Sequence, residues 1–468
     1  MKNKKQIFEA IEEFIQSDPT QLQISNHNGR IISQPRLNKI IQNSGFKKVD
    51  AAWECMHNIS GLQFSGSRIG DLGEVFHQTF NSKLSLFVQN GSSMGNQVVA
   101  LTLAHKKVLI QANSHVSVYT GLSLSNAEIV LLEPEFNQEY GIHMAVTADQ
   151  IQQAIQQHPD IYAVILTSPS YEGLFADYQK IRDVIGSRYL IVDEAHGAIH
   201  YFDKSDKRTA LSSGADITVS SMHKSLGTLV GTSLINVAAD SKFPTKKILD
   251  AYYTFATTSP NIILLASVYD AILELNENGE EYLQNAIQRN NQFRNEIEKL
   301  DNIIIDSFDQ SQKDQLKTIF GIKNVHGYQL AKILQDKYNI WVEKCNSISV
   351  IVTIHINTED ADIDKLIKAV REISKKFEYK TQYDQSINQE LIYVNLTKKR
   401  KILTPLTKVM SSDKEEKKIQ DCIGRISGNL QYFCPPGYPV LTFGEEISKE
   451  HVEILGQNFL IEVLVEDE

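Results

Sequence analysis

Cysteine is scarce in this chain: there are four in 468 residues (Cys55, Cys345, Cys422 and Cys434), with no CxxC pair among them. That excludes a small disulfide-stapled scaffold and fits a reducing cytoplasm. Cys55 and His57 stand close together, but no second pair follows at metal-ligand spacing, so no metal site is expected. No apolar run approaches the roughly 18 residues of a transmembrane helix, so no membrane span is expected. Positive charge is not in excess: 47 Lys and Arg face 57 Asp and Glu, a net charge of −10, which argues against a nucleic-acid partner. The densest basic run, Lys398-Lys399-Arg400-Lys401, reads as solvated surface. The N-terminal MKNKKQIFEAIEEFIQ reads as a charged amphipathic helix rather than the apolar core of a signal peptide. Internal repeats and low-complexity tracts are absent. A soluble, cytoplasmic protein is the expectation.

What is present is an ordinary globular composition, 42% apolar and 22% charged, long enough for about three units at roughly 150 residues each. The chain starts with an arm, an amphipathic helix followed by the polar Ile24-Ser25-Asn26-His27-Asn28-Gly29-Arg30. From about 85 to 240, short apolar runs alternate with helical periodicity. Residues 107–110, 129–132, 162–166 and 189–192 are apolar on both faces, as central strands of a parallel sheet are. Thr147-Ala148-Asp149-Gln150 has the spacing of a capping box, and Ile151, Ala154 and Ile155 follow on one helical face. Strand, capped helix, strand, several times over, gives an α/β domain with a doubly wound, mostly parallel sheet.

Residues 260 to about 300 read as helix with a break near Gly279. A smaller α+β unit follows, with strands near 317–322 and 349–355 and helices near 327–338 and 362–376. Residues 379–420 are a polar connector or surface element, and Cys434-Pro435-Pro436-Gly437-Tyr438-Pro439 is too rich in proline for helix or central strand. The expected division is an arm (1–60), a large domain (61–300), a small α+β subdomain (301–380) and a C-terminal domain (381–468).

Four features fall after or at the end of strands in the large domain, the edge where open α/β sheets bind ligands. Asn90-Gly91-Ser92-Ser93-Met94-Gly95-Asn96 opens a helix, whose free N–H groups and positive dipole end suit a phosphate; a tight turn with a Ser cap accounts for it as well. Asp193 and Glu194 end a strand, where an Asp also serves as a helix cap. Lys224, in Ser220-Ser221-Met222-His223-Lys224-Ser225-Leu226-Gly227, follows the strand 216–219; a lone Lys there is usually a surface charge. His115 follows the strand 107–110, where a single His is more often a satisfied polar group. Together they match one chemistry. A pyridoxal phosphate enzyme needs a Lys to form a Schiff base, an acid to keep the pyridine nitrogen protonated and a cup for the phosphate. Asp193 precedes Lys224 with one strand between them, as the aspartate-aminotransferase fold requires.

The segments NGSSMGN (90–96), NSHVSV (113–118), LTSPSYEGL (166–174), VDEAHGA (192–198), SSMHKSLG (220–227), TTSPN (257–261), GRIS (424–427) and CPPGYPVLTFGEEIS (434–448) carry a resemblance. In that order they resemble the bacterial ornithine/lysine/arginine decarboxylases, within fold type I of the pyridoxal phosphate enzymes. The resemblance implies that Lys224 is the Schiff-base lysine, Asp193 the partner of the ring nitrogen and His115 a residue stacked on the ring face. It implies Ser92, Ser93, Ser221 and His223 around the cofactor phosphate or ring, and Ala195 and His196 beneath it. Lys224, His115, Asp193 and His223 are the expected catalytic residues. Thr257 would reach the phosphate of the neighbouring subunit, since active sites of the family lie at a dimer interface. With no length before the arm for the regulatory domain of the decameric members, a homodimer or a small multiple of it is expected.

The sequence departs from the family pattern at several points. Ser25-Asn26-His27-Asn28-Gly29 stands where Pro-Gly-His-Lys is usual. Met222 replaces a Thr, Met94 a small polar residue and Phe443 a Pro, and Gly428-Asn429 stands where a small residue and Glu are common. The implied activity is α-decarboxylation of arginine, lysine or ornithine. Two alternatives stay open: another pyridoxal phosphate reaction on an amino acid (transamination, oxidation or side-chain elimination), and a catalytically dead paralogue.

Overall fold

Seven strands make the central sheet: β1 (Ser82–Val88), β2 (Lys107–Gln111), β3 (Glu128–Leu132), β4 (Ala163–Thr167), β5 (Tyr189–Asp193), β6 (Ile217–Ser221) and β7 (Ser233–Ala238). Their spatial order is β1-β7-β6-β5-β4-β2-β3. β7 runs antiparallel to both β6 and β1, and the other neighbours are parallel. The computed structural model describes residues 7–24, 27, 29–30, 32–52, 63–65, 68–204, 208–309, 311–377 and 389–465. Cys55 and His57, and Ser25, Asn26 and Asn28 of the arm, lie outside the described residues.

Alternation explains the apolar runs. Val108, Ile110, Ile165 and Ile191 enter one core with the helix α1 (Gly91–Leu101), while Leu109, Val164, Leu166, Leu190 and Val192 enter another with Ile151, Ala154 and Ile181. A strand covered on both faces must be apolar at every position. β3 corrects one expectation, because it sits at the edge of the sheet rather than in its centre. Its faces are covered even so: Ile129 and Leu131 pack on the first core and Val130 on the second. Apolarity on both faces reports coverage, not position in the sheet. The capping box forms as the spacing requires, with Thr147 Oγ1 accepting from the Gln150 N–H at 3.3 Å and Gln150 Oε1 accepting from the Thr147 N–H at 3.0 Å.

The expected break at Gly279 is absent. The helix Ile262–Ile297 runs through it unbroken, because that glycine serves close packing: a Cβ there would stand 2.9 Å from Phe202 Cβ. Beyond this helix a four-stranded antiparallel sheet (Ile303–Ile305, Lys317–Ile322, Val350–Thr353, Lys344–Cys345, in spatial order) carries the helices Gly327–Tyr338 and Asp360–Phe377 on its core. The arm joins this unit: its strand Thr20–Leu22 pairs in parallel with Ile340–Val342.

At the C-terminal end, Lys414–Lys418 pairs with Leu460–Leu464 over a core of Ile419, Leu441, Ile447 and Ile461. The polar stretch before it, expected as a connector or surface element, holds the helices Gln389–Lys399 and Leu406–Ser411. Arg400 is not solvated surface. It is buried, donates from Nε to Glu445 at 3.0 Å and from Nη2 to the carbonyls of Pro439 and Val440, and lies over the Tyr119 ring. Its three lysine neighbours are exposed as expected. Among the described residues no helix is long and apolar enough to cross a membrane.

Candidate active site

The parallel strands deliver their side chains to one cavity at their C-terminal ends. It is lined by Ser92, His115, Asp193, Ala195, His196 and Lys224 of the expected residues, together with Tyr171 and Tyr438. Adjacent strands place the two charged groups: β5 ends at Asp193, and β6 runs directly into the short helix Met222–Ser225 that carries Lys224.

Asp193 is 2% exposed. It does not serve as a simple helix cap: Oδ2 accepts from Asn96 Nδ2 at 2.9 Å, and Oδ1 has no hydrogen-bond partner among the described residues. Burial raises its pKa, while the Asn96 amide, Lys224 and the Ala195 N–H work in the other direction. Burial lowers the Lys224 pKa, which favours the neutral amine.

Asn96 Nδ2 also donates to Ser117 Oγ at 3.0 Å, and that hydroxyl lies 2.8 Å from His115 Nδ1. Since His115 Nδ1 accepts from the Ser117 N–H as well, at 3.2 Å, the ring carries its proton on Nε2. Burial and Lys224 hold this imidazole neutral, with a pKa down at about 4. Thus Asp193, Asn96, Ser117 and His115 form one continuous network. Asn96 sits on α1, where Gly95 lets the helix press on β6; a Cβ there would meet Val219 Cγ1 at 2.6 Å.

His196 links two lysines. Its Nδ1 accepts from Lys317 Nζ at 3.3 Å, which leaves the Nε2–H facing Lys224 Nζ at 3.5 Å. Burial and the surrounding cations lower its pKa well below the usual value. Lys317 is itself buried and also donates to the Tyr171 carbonyl at 2.8 Å. His223 Nδ1 lies 3.1 Å from both the Thr232 carbonyl and Ser221 Oγ, so it donates to that carbonyl, and burial brings its pKa to about 4. The arm's His27 adds a smaller repulsion to His223.

The C-terminal unit covers the cavity in the same chain. The Val116 N–H donates to Gly437 O at 2.9 Å, and Gly437, at φ +97°, lies against the His115 ring. Tyr438 OH donates to the buried Glu172 at 3.3 Å, and Glu172 pairs with Lys344 at 2.8 Å.

Four expected residues do not line this cavity: Ser93, Thr257, and also Ser221 and His223, which flank Lys224 in sequence without reaching the lining. Ser93 is exposed on the first turn of α1. Thr257 lines a separate surface groove with Asn90 and Met94. The departures at Met222 and Asn429 do not face the cavity either: Met222 is fully buried in the core beside Leu226, and Asn429 Oδ1 accepts from the Glu462 N–H. Sequence reasoning gave no role to Asn96 or Ser117, although both lie inside the quoted segments. Tyr171 and Tyr438 likewise lie inside those segments without a role assigned to them, and Lys317, outside them, gave no signal of its own.

A pyridoxal phosphate fits these residues. The unsatisfied Oδ1 of Asp193 needs a donor, which a protonated ring nitrogen supplies; the uncapped first turn of α1 offers N–H groups beside Ser92; and Lys224 opens on the same space.

A family model described as Orn/Lys/Arg decarboxylase, major domain, matches residues 56–323. The arginine decarboxylase of Bacillus anthracis is 25% identical, with 97% of this chain and 92% of that protein covered. Among solved structures, lysine decarboxylase A from Pseudomonas aeruginosa has a TM-score of 0.70 at 15% identity, covering 98% of this chain and 82% of that one. The constitutive lysine decarboxylase of E. coli has a TM-score of 0.69 at 19% identity, covering 84% and 72%. The fold is therefore the fold type I α/β architecture of those enzymes.

Proposed function

The chain belongs to the ornithine/lysine/arginine decarboxylase family, and from that premise we propose that it is a pyridoxal phosphate enzyme that removes the α-carboxyl group of a basic amino acid as carbon dioxide. The observation that carries the reading is the buried Asp193, with one oxygen free of a partner, at the mouth of the strand next to the one that leads to Lys224. When bound, the cofactor would supply an electron sink for the charge left at Cα.

The residues of the chain divide the remaining work. Lys224 would hold the cofactor's aldehyde end, Asp193 its ring nitrogen and His115 one ring face. Ser92, Ser221 and His223 would surround the phosphate end, with Ala195 and His196 on the opposite side. Desolvation lowers the Lys224 Nζ pKa, and the His196 Nε2–H faces that nitrogen, so Nζ would carry the proton returned to the substrate carbon while His196 orients it. The Pro436-Gly437-Tyr438 segment excludes water over the His115 face and leaves a departing carboxylate poorly solvated. Thr257 is exposed at the rim of its groove, open to a second subunit, which supports a homodimer with active sites at the interface.

The test is mass spectrometry of products after incubation of the protein and pyridoxal phosphate with arginine, lysine and ornithine separately. An amine lacking only the carboxyl group is expected from one of them, and none from Lys224→Ala. A keto acid, an altered side chain or turnover by Lys224→Ala would refute the assignment.

A further inference from the structure

Lysine is almost never fully buried unless it is paired. Lys317, which opens the strand Lys317–Ile322 of the small unit, is 2% exposed. Strand alternation puts it on the face of Ile319, which packs with Leu174 and Tyr140, so an apolar side chain would suit the position. The chain makes room for a cation instead. Gly173, at φ +87°, lies against the stem, and a Cβ there would stand 3.0 Å from Lys317 Cδ. The Phe175 N–H donates to Gln312 O and the Asp314 N–H to Gly173 O, which ties that loop to the approach to the strand. No carboxylate lies within ion-pair distance of Lys317 among the described residues; Asp314 stands 3.6 Å from His200 Nε2 and feels Lys317 only at longer range. A buried cation without a counter-ion beside it is costly. Two hydrogen bonds hold it, to the Tyr171 carbonyl at 2.8 Å and to His196 Nδ1 at 3.3 Å.

The second bond has a direction. An ammonium donates and cannot accept, so His196 Nδ1 is the acceptor. Burial first, then Lys317, Lys224, His223 and His115, hold that ring neutral. A neutral imidazole whose Nδ1 accepts carries its proton on Nε2. This N–H faces Lys224 Nζ at 3.5 Å, and the contact is a hydrogen bond only if Nζ offers a lone pair, as the neutral amine does. The row Lys317, His196, Lys224 therefore has one consistent placement of protons, with its positive charge at the far end. The field agrees with it: burial lowers the Lys224 pKa, Asp193 and Glu343 work against that, and Lys317 adds to the lowering. Tyr171 completes the setting, edge-on to the His196 ring at 4.9 Å between centroids, with Lys317 Nζ 5.2 Å from its own ring centre.

We propose that Lys317 is a positioning residue: from the small unit it fixes the tautomer of His196, and through that ring it holds Lys224 Nζ as a hydrogen-bond acceptor, the nucleophilic form of the amine. The proposal rests on the reading of Lys224 as the residue that holds the cofactor. Lys317 does not line the first cavity and acts only through its neighbour. The docking of the small unit on the loop around Gly173 thus sets the proton state of a lysine in the large domain.

The experiment uses the full chain before pyridoxal phosphate is added, as wild type, Lys317→Met, His196→Phe and the double variant. Nitrogen-15 NMR of histidine-labelled protein reads the tautomer of His196, whose signals are assigned by their loss in His196→Phe. The wild type should show the proton on Nε2, and Lys317→Met should move it partly or wholly to Nδ1. Competitive acylation of Lys224 across pH, followed by mass spectrometry, reads the fraction of neutral amine. Lys317→Met removes a hydrogen bond and a like charge together, so acylation below the midpoint should slow by about 10-fold and the profile move to higher pH. Without His196, the same substitution should change acylation by less than about 3-fold. A proton on Nδ1 in the wild type overturns the proposal with no substitution at all. So does a Lys317→Met protein with the wild-type tautomer and acylation profile, and so does an effect of equal size in the His196→Phe background. None of these measurements needs turnover. A protein that meets them and yet releases no carbon dioxide from arginine, lysine or ornithine sustains the placement of Lys317 and removes the decarboxylase reading instead.

Discussion

Replacing Gly437 by alanine tests whether the C-terminal unit sets the position of His115. A Cβ at 437 would stand 2.4 Å from His115 Cδ2 and 2.5 Å from Nε2, where ordinary contact begins at 3.4 Å. Either the ring or the loop must therefore yield by about 1 Å in a close-packed site. Neither is free to do so cheaply: Ser117 holds the ring at Nδ1, and the Val116 N–H holds the loop at Gly437 O. Displacement of a group at the reacting centre by about 1 Å costs roughly 100-fold in rate, and overpacking costs about 1–3 kcal/mol in stability. The positive φ of +97° adds its own strain. Gly456→Ala isolates that strain, because Gly456 has φ +89° but nothing within 4 Å of its added Cβ. Carbon dioxide release and urea unfolding of both variants give the answer. Gly437→Ala should lose about 100-fold in kcat/KM, and Gly456→Ala should lose only stability. Wild-type turnover by Gly437→Ala would refute the argument that this contact fixes His115.

Three further outcomes are expected. Asn96→Ala removes the donor from Asp193 and from Ser117 together; the Asp193 pKa should rise further and pyridoxal phosphate affinity fall by about 10-fold, read from the dissociation of the bound chromophore. Arg400→Met leaves Glu445 buried without its strongest cation, a loss of about 3–5 kcal/mol in urea unfolding, and Glu445→Gln in the same chain should restore part of it. Acid should destabilise the fold through its buried neutral imidazoles. His115, His143 and His223 have pKa values lowered by burial to about 4 from an ordinary 6.5. The unfolded chain therefore takes up protons first, and their contribution, complete above about pH 6.5, is lost as pH falls toward 4. A urea midpoint that stays constant over this window would contradict the burial of these rings.

The polar chemistry of the site was legible because it is local to strand ends. Asp193, Lys224 and His115 each follow an apolar run that can only be a strand covered on both faces, and the sheet brings those ends together. The Thr147–Gln150 capping box was legible for the same reason, since its partners are three residues apart. Gly279 was misread because the helix-breaking tendency of glycine is weak beside a tertiary requirement for close approach, here to Phe202. Met222 looked like a change in the active site, yet the helical turn after β6 points it into the core.

The sequence by itself therefore determined the parallel α/β core and the acid and lysine at its edge, because alternation and strand ends are properties of neighbouring residues. Only the tertiary structure decided that β3 lies at the edge, that Arg400 is buried against Glu445, that Asn96 and Ser117 join Asp193 to His115, and that Gly437 and Tyr438 cover the cavity. Each of these depends on what arrives from a distant part of the chain to cover a face or satisfy a charge, and no local periodicity records that arrival.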